Sequence, residues 1–274
     1  MLFHATLFHA FAKATVCSPM PSPSKYPWRL FFFLLGGAIV SVLALLPYLQ
    51  AILAPTLNAH PLRLPLPLLA LIQGTVNFTV ATGIGLLAAR ALDLGAPILE
   101  ASLYGRPANY GPKRILFISI FVGAALGIIT LLVIMSPTGA ALRHMSPVPE
   151  SALPLWKRLL ACGYGGLGEE ILMRLFLLSG LLWIAVKMTR ASSRNRVLFW
   201  SVNALVAVAF GAGHLPLAGS LHELTPELVT IVIGLNAFVA LGFGYLYWSR
   251  GLEAAMLAHF STDIVLHVIG PSLL

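Results

Sequence analysis

Residues 160–186 read LACGYGGLGEEILMRLFLLSGLLWIAV, an apolar run with charged residues in its middle. A helix of about 20 apolar residues, rising ~1.5 Å per residue, crosses the hydrocarbon core of a bilayer. Glu169, Glu170 and Arg174 interrupt this run, and a charge at mid-membrane costs roughly 2.5–3.5 kcal/mol on insertion scales. We therefore expect a membrane helix whose charged side chains face the protein interior or a wet cavity.

The composition of the whole chain is that of a membrane protein. Of its 274 residues, 58% are hydrophobic and only 9% are charged, whereas soluble domains contain about 25% charged residues. The formal net charge is +8, and the basic residues lie mainly in the connections between apolar runs, as the positive-inside rule describes. No basic stripe with interleaved aromatic residues is present, so we do not expect a nucleic acid partner.

Apolar runs long enough for membrane helices continue on both sides of this segment. The chain is therefore predicted to be an all-α, polytopic transmembrane helix bundle with about seven to eight spans, the eighth span or a re-entrant piece being left open. A membrane barrel would show alternating segments of about 10 residues, which are not seen. The seven predicted spans are 28–53, 64–89, 115–135, 160–186, 197–213, 228–248 and 252–269.

The remaining organisation follows from the connections between the runs. Residues 1–27 are interpreted as an N-terminal tail with a Pro/Ser-rich linker, and residues 28–154 as a set of N-terminal transmembrane helices. Connections 90–114 and 187–196 are rich in lysine and arginine, whereas 214–227 has neither. This asymmetry predicts a cytoplasmic N-terminus and an outside C-terminus for a multi-pass protein, in the plasma or inner membrane if the source is bacterial.

The charges of the fourth run are expected to differ in role. Glu170 and Arg174 are four residues apart, so they share a helix face and are predicted to form an internal ion pair. Glu169 is turned about 100° away and has no such partner in its own helix. The pair is therefore interpreted as structural, and Glu169 as the residue with a chemical task.

Two later runs carry a similar i, i+4 pattern. Phe210 and His214 share a face in FGAGHLP, and His259 and Asp263 share a face in HFSTD. A histidine and an aspartate at that depth need polar partners. His267, one further turn along, is interpreted as a packing or interfacial residue.

The three patterns together have a family resemblance. EExxxR, FxxxH and HxxxD, in this order on separate predicted spans, resemble the CPBP family of intramembrane proteases, the CAAX-processing and bacteriocin-processing enzymes also called type II CAAX prenyl endopeptidase-like. The resemblance covers about residues 155–270, which are therefore interpreted as the catalytic helices. It implies an intramembrane endopeptidase that hydrolyses a peptide bond, with CAAX-type protein processing as one form of the activity.

The resemblance also implies roles for individual residues. Glu169 matches the catalytic glutamate, and His214 matches the histidine that helps it to hold the attacking water. His259 and Asp263 match the pair assigned to stabilising the oxyanion. The remaining motif positions are supporting ones: Glu170, Arg174 and Phe210.

These roles are chemically reasonable, with one departure from the family pattern. Peptide hydrolysis needs a base for water and a donor for the developing oxyanion. The family often has asparagine at the position of Asp263, and a carboxylate donates only when it is protonated. Either Asp263 is neutral, or it orients His259 instead.

A cofactor is not expected, with zinc as the alternative. Glu169, His214 and His259 could ligate zinc, but they lie on three separate spans and no HExxH helix is present. The glutamate-and-histidine mechanism that the resemblance implies needs no metal.

Other functional classes stay open. The chain could be a non-catalytic membrane partner, such as a bacteriocin-immunity or self-resistance protein, or a proton carrier. A carrier would favour repeats in two halves, which are not seen. The expected partners are the lipid bilayer and a protein or peptide substrate, which is lipidated in the CAAX case.

Overall fold

The computed structural model describes residues 26–59, 62–105, 111–143 and 148–273. The predicted tail and linker lie almost wholly outside these residues. Within the described ranges the chain is helical and contains no strand. The predicted all-α, polytopic class is therefore confirmed.

Among the residues that the structure describes, seven helices are long and apolar enough to cross a membrane, as predicted. They are Trp28–Ile52, Leu66–Ala91, Pro112–Met135, Leu155–Thr189, Arg196–Leu221, Pro226–Arg250 and Leu252–Ser272, called the first to seventh spans below. Shorter helices lie in the connections, namely Ala54–Ala59, Pro97–Tyr104 and Ala140–Arg143. The fourth span begins five residues earlier than the sequence indicated because the amphipathic turn around Lys157 and Arg158 is also helical.

The fifth span continues beyond its predicted end. Its first part is the helix Arg196–Gly213, and a second helix, Leu215–Leu221, follows directly. His214 is the junction residue, and Pro216 stands in the first turn of the second helix, where its missing N–H costs no hydrogen bond. His214 therefore lies inside the span and not at its outer end, as the predicted boundary had placed it.

The fourth span is not a regular α-helix. After Leu155–Tyr164 it widens into π-helical turns at Gly165–Glu169 and Ile171–Leu178, and then returns to α-helix at Ser179–Thr189. The expectation of regular α-helical geometry around Glu169 is therefore wrong. Such π turns are rare and occur frequently at functional sites.

The seventh span is the central element of the bundle. Of its most apolar stretch 56% is buried, against 28–39% for the other six spans. It packs against the third, fourth and sixth spans. A polar residue on this span can therefore be reached by side chains from several neighbours, whereas most outer spans expose apolar side chains.

Small residues allow the third and seventh spans to approach closely. A Cβ atom at Gly123 would overlap the backbone of Ala258, and one at Gly127 would lie 2.8 Å from Val265 Cβ. Thr262 Oγ1 also donates a hydrogen bond to the Gly123 carbonyl over 2.8 Å. This GxxxG spacing is a common helix-packing device in membranes, and here it fixes the back of the span that carries His259.

The start of the seventh span is anchored by the connection after the second span. Leu252 N–H donates to the Gly95 carbonyl over 2.9 Å. Glu253 is buried and accepts the Leu99 N–H over 2.8 Å. These contacts fix the axial position of the span, and thereby the depth of its polar residues.

Candidate active site

Glu170 and Arg174 form the predicted ion pair. Arg174 Nη1 lies 2.9 Å from Glu170 Oε1, and the two side chains are 1% and 0% exposed. Arg174 Nη2 also donates to the Ala240 carbonyl of the sixth span over 3.1 Å. The pair therefore links the fourth span to the sixth and neutralises two buried charges, since a single buried charge would be strongly unfavourable.

Glu170 has a second partner that the sequence had not indicated. Nδ1 of His259 lies 2.7 Å from the same Oε1 atom. A carboxylate only accepts hydrogen bonds, so Nδ1 carries the proton and donates it. The interpretation of Glu170 as a partner of Arg174 alone is therefore incomplete: this carboxylate also fixes the orientation of an imidazole from another span.

The other nitrogen of His259 faces two more carboxylates. Nε2 lies 3.6 Å from Asp263 Oδ1 and 3.8 Å from Glu169 Oε2. The side chain of His259 is 6% exposed, whereas that of Glu169 is 23% exposed. Glu169 is thus the more accessible acid of the adjacent pair, and the two acids contact opposite edges of one imidazole.

Two aromatic rings enclose this polar centre. The Phe243 ring stacks on the His259 ring with centroids 4.6 Å apart and an interplanar angle of 20°. The Phe210 ring meets the same imidazole edge-on, at 5.7 Å and 81°. The guanidinium carbon of Arg174 lies 5.1 Å from the Phe210 centroid and 5.3 Å from that of Phe243. Both rings therefore contact the cation and the imidazole.

His214 joins the site through Phe210. Its ring lies 4.7 Å from the Phe210 ring, and its Nδ1 lies 2.9 Å from the Phe210 carbonyl oxygen. Because a carbonyl only accepts, Nδ1 donates this bond and Nε2 is left as an acceptor in the neutral imidazole. Phe210 contacts both imidazoles, so the FxxxH and HxxxD patterns meet on one aromatic ring.

The three sequence patterns therefore converge in space. The fourth, fifth and seventh spans bring together Glu169, Glu170, Arg174, Phe210, His214, His259 and Asp263. Residues 151–265, which contain all seven, match the family model described as "Type II CAAX prenyl endopeptidase Rce1-like". This part of the chain is similar to the Rce1-like family. The suspected relationship to CAAX-processing membrane proteases is thereby confirmed.

No curated protein and no solved structure gives a significant match to the chain. The Rce1-like family is one of membrane proteases, and the seven apolar helices agree with a multi-pass membrane protein.

Glycines of the fourth span leave room for side chains of the seventh span. A Cβ atom at Gly165 would overlap Asp263 Oδ2 and lie 3.3 Å from His259 Nε2, and one at Gly166 would lie 2.8 Å from Phe260 Cβ. The first π turn can therefore lie directly against the seventh span. The glycine-rich stretch GYGGLG was visible in the sequence, but only the packing shows which of its members touch the site.

Phe243 was missed by the sequence analysis. It lies in FVALGFGYLYW, where aromatic residues are frequent, and nothing in that pattern separates it from its neighbours. Its contact with His259 arises only when the sixth and seventh spans pack together.

A second polar cluster lies outside the Rce1-like match. Glu150 accepts hydrogen bonds from the Tyr48 hydroxyl and from His267 Nδ1, the latter over 2.9 Å. The interpretation of His267 as a packing or interfacial residue is therefore incomplete. Burial tends to raise the pKa of Glu150, but its contacts with His267 and Tyr48 and the charge of Arg158 outweigh burial, and the net pKa is lowered from 4.5.

Zinc is the alternative to water activation by side chains alone. Among the residues that the structure describes, no group of three or more histidine, cysteine, aspartate or glutamate side chains is arranged to hold a metal ion. Whether the activity depends on zinc is decided by the treatment with a chelator and zinc described under the proposed function.

Proposed function

We propose that this protein is an intramembrane endopeptidase in which Glu169 and His214 activate water and His259 stabilises the oxyanion. The observation that carries the proposal is the position of the His259 imidazole. Glu170 holds one nitrogen at 2.7 Å, and the other nitrogen faces Glu169 and Asp263 at 3.8 and 3.6 Å. A base and a donor thus lie side by side in a largely buried site, the arrangement that acyl hydrolysis needs.

Glu169 is the general base in this proposal. Its side chain is partly exposed, whereas its neighbour Glu170 is fully buried and already paired. A water molecule beside Glu169 gives its proton to the carboxylate as its oxygen attacks the peptide carbonyl carbon. The same proton then passes to the leaving nitrogen as the C–N bond breaks, which releases an acid and an amine.

His214 holds the attacking water from the other side. Its Nδ1 donates to the Phe210 carbonyl, which leaves Nε2 able to accept a hydrogen bond from water. A water held by two acceptors is oriented for attack. This step makes His214 a partner of Glu169 and not a second base.

His259 supplies the donor for the oxyanion. With Nδ1 donating to Glu170, the ring donates from Nε2 only as an imidazolium, and the two carboxylates around Nε2 together with the stacked Phe243 ring favour that cation. As the substrate carbonyl oxygen gains charge, Nε2–H donates to it. Asp263 then orients the imidazolium, and this role does not require Asp263 to be protonated.

The family relationship suggests the substrate class. We propose proteins or peptides that end in a prenylated CAAX sequence, since the family is described as prenyl endopeptidases. The exposed apolar faces of the spans support this choice, because they suit a bilayer in which a lipid group would hold the substrate chain.

A cleavage assay in liposomes tests the proposal. The probes are a quenched fluorescent peptide with a farnesylated CAAX end, the same peptide without farnesyl, and an unprenylated peptide library. We expect Glu169→Gln to lower kcat by about 10³-fold or more, because the general base is lost, while Glu223→Gln, at an exposed acid, leaves kcat unchanged.

Three outcomes would change the assignment. Retained cleavage in Glu169→Gln would remove this residue as the base. Loss of activity with a chelator and recovery with zinc would favour the metal-dependent form. Absence of cleavage of every probe, together with a cellular phenotype that Glu169→Gln preserves, would favour a non-catalytic membrane partner.

A further inference from the structure

Phe243 lies beside the proposed active site and contacts two of its residues. It is completely buried in the sixth span, outside the three sequence patterns. One ring makes two contacts: it stacks on His259 at 4.6 Å and 20°, and it lies 5.3 Å from the guanidinium carbon of Arg174. The ring thus connects the imidazole that faces the substrate position with the cation that holds Glu170.

The geometry differs from that of Phe210. Phe210 meets the imidazole edge-on, at 81°, and supports it only along one edge. Phe243 lies nearly parallel to the imidazole plane and blocks rotation of the ring toward that side. The hydrogen bond from Nδ1 to Glu170 fixes a point on the imidazole, and a stacked ring is needed to fix its plane.

We infer that Phe243 is a positioning residue: its ring holds the plane of the His259 imidazole so that Nε2 points between Glu169 and Asp263. This inference rests on the proposed function, because it concerns the same oxyanion donor. Its π face also stabilises the imidazolium form, since a desolvated cation over an aromatic ring is attracted to it. Leucine would fill most of the same space and provide neither effect.

The chain offers a matched control. Phe199 is also completely buried and also stacks on an aromatic ring, that of Trp248, at 4.3 Å and 11°. Phe199 lies on the span that carries Phe210, and Trp248 lies on the span that carries Phe243, but Trp248 is not a site residue. Phe243→Leu and Phe199→Leu therefore remove the same kind of packing, and only the first removes a contact with His259.

The first measurement uses the protein labelled at the Cε1 carbon of histidine, in detergent micelles. The chain has eight histidines, and a His259→Gln variant assigns the resonance of interest. Because the imidazole stacks on a phenyl ring, we expect the His259 Cε1–H proton of the wild-type protein to be shifted upfield by the ring current. The shift should disappear in Phe243→Leu and persist in Phe199→Leu.

The second measurement is kinetic, with the farnesylated CAAX peptide as the probe. We expect Phe243→Leu to lower kcat about tenfold with little change in KM, the loss of one desolvated aromatic contact to a cation. Phe199→Leu should keep kcat, and Phe243→Tyr, which keeps the ring, should recover most of the rate.

The outcomes separate this inference from the proposed function. An unshifted His259 resonance in the wild-type protein overturns the inference, even if Phe243→Leu does not fold. An equal fall of kcat in both leucine variants, or an unchanged kcat in Phe243→Leu when the resonance moves, also overturns it. Retained cleavage in Glu169→Gln removes Glu169 as the base, and absence of cleavage of every probe removes the proposed function. In both cases the resonance still reports whether Phe243 holds the ring.

Discussion

The imidazole of His259 is held by Glu170, 89 positions earlier in the chain, through a 2.7 Å contact between Nδ1 and Oε1. The same oxygen pairs with Arg174 at 2.9 Å. The buried Glu170 carboxylate therefore has two partners: it pairs with Arg174 of the fourth span and accepts a hydrogen bond from His259 of the seventh span. Its structural and chemical contributions can be separated, because Arg174 and His259 are different partners.

The first prediction separates these contributions with a double variant. Glu170→Gln leaves the buried Arg174 without a counter-charge, so we expect the free energy of unfolding to fall by about 3–5 kcal/mol. Adding Arg174→Met removes the unpaired charge and should recover much of this loss. Thermal unfolding in detergent measures both steps.

Activity should not follow stability in that series. The double variant still lacks the carboxylate that orients His259, so cleavage of the farnesylated peptide should stay low after the fold is restored. A double variant as active as the wild type would show that Glu170 matters only as a partner of Arg174.

The second prediction concerns Asp263, whose Oδ1 faces His259 Nε2 at 3.6 Å. An asparagine can present its carbonyl oxygen to Nε2–H or donate its NH₂ to the oxyanion, so Asp263→Asn should keep kcat within about tenfold of the wild type. Asp263→Leu can do neither and should lose about 10²–10³-fold, the usual effect of disturbing an oxyanion donor.

Steady-state kinetics over a wide pH range distinguishes the two forms of the Asp263 hypothesis. If Asp263→Asn has the activity of the wild type at every pH, neither protonation nor charge at this position matters. Equal activity of the leucine and asparagine variants would remove Asp263 from the mechanism.

The third prediction uses two glycines of the fourth span. A Cβ atom at Gly165 would overlap Asp263 and crowd His259, whereas one at Gly163 has nothing within 4 Å. Gly165→Ala should therefore displace the catalytic side chains and lower kcat at least tenfold. Gly163→Ala should keep activity and stabilise its helix by about 0.5–1 kcal/mol, since alanine is the better helix former.

Cleavage rates and thermal unfolding of the two alanine variants test this contrast. A fully active Gly165→Ala protein would mean that the first π turn does not need to lie against the seventh span. The comparison is informative because the two substitutions are chemically identical and two residues apart.

The seven spans could be predicted from the sequence, and the family resemblance implied that the motif residues share one site. Long apolar runs mark membrane helices directly, and Glu170 and Arg174 at i, i+4 marked their own ion pair. The charged residues within the apolar runs also indicated a functional site, because placing each charge in lipid is costly.

Other parts of the site could not be predicted for physical reasons. The π turns around Glu169 have no apolar period of their own, so the sequence indicated an ordinary α-helix. The stacking of Phe243 on His259 and the contact of Glu170 with His259 join distant segments, and they depend on how the spans rotate against each other. Glu150 lies in a connection without a helical pattern of apolar residues. The sequence therefore did not indicate its contacts with two spans.

The last prediction concerns the pH dependence of that Glu150 cluster. The carboxylate accepts hydrogen bonds from Tyr48 of the first span and His267 of the seventh, and thereby ties the 150–152 turn to both spans. Its pKa in the folded protein is lowered from 4.5: burial opposes the shift, and the contacts with His267 and Tyr48 outweigh burial. A group with a lowered folded pKa stabilises the fold above its unfolded pKa, and this stabilisation is lost as the pH falls through the folded pKa.

Glu150→Gln should therefore lower the free energy of unfolding by about 1–2 kcal/mol at pH 7, the usual cost of losing a partly buried, charge-assisted hydrogen bond. The difference from the wild type should shrink as the pH falls below 4.5 and the wild-type carboxylate takes up its proton. Thermal unfolding of both proteins at several pH values measures the difference, with the exposed Glu223→Gln as the control. A difference that is constant across this pH range would show that the Glu150 charge does not contribute, since a purely steric effect of the substitution does not depend on pH.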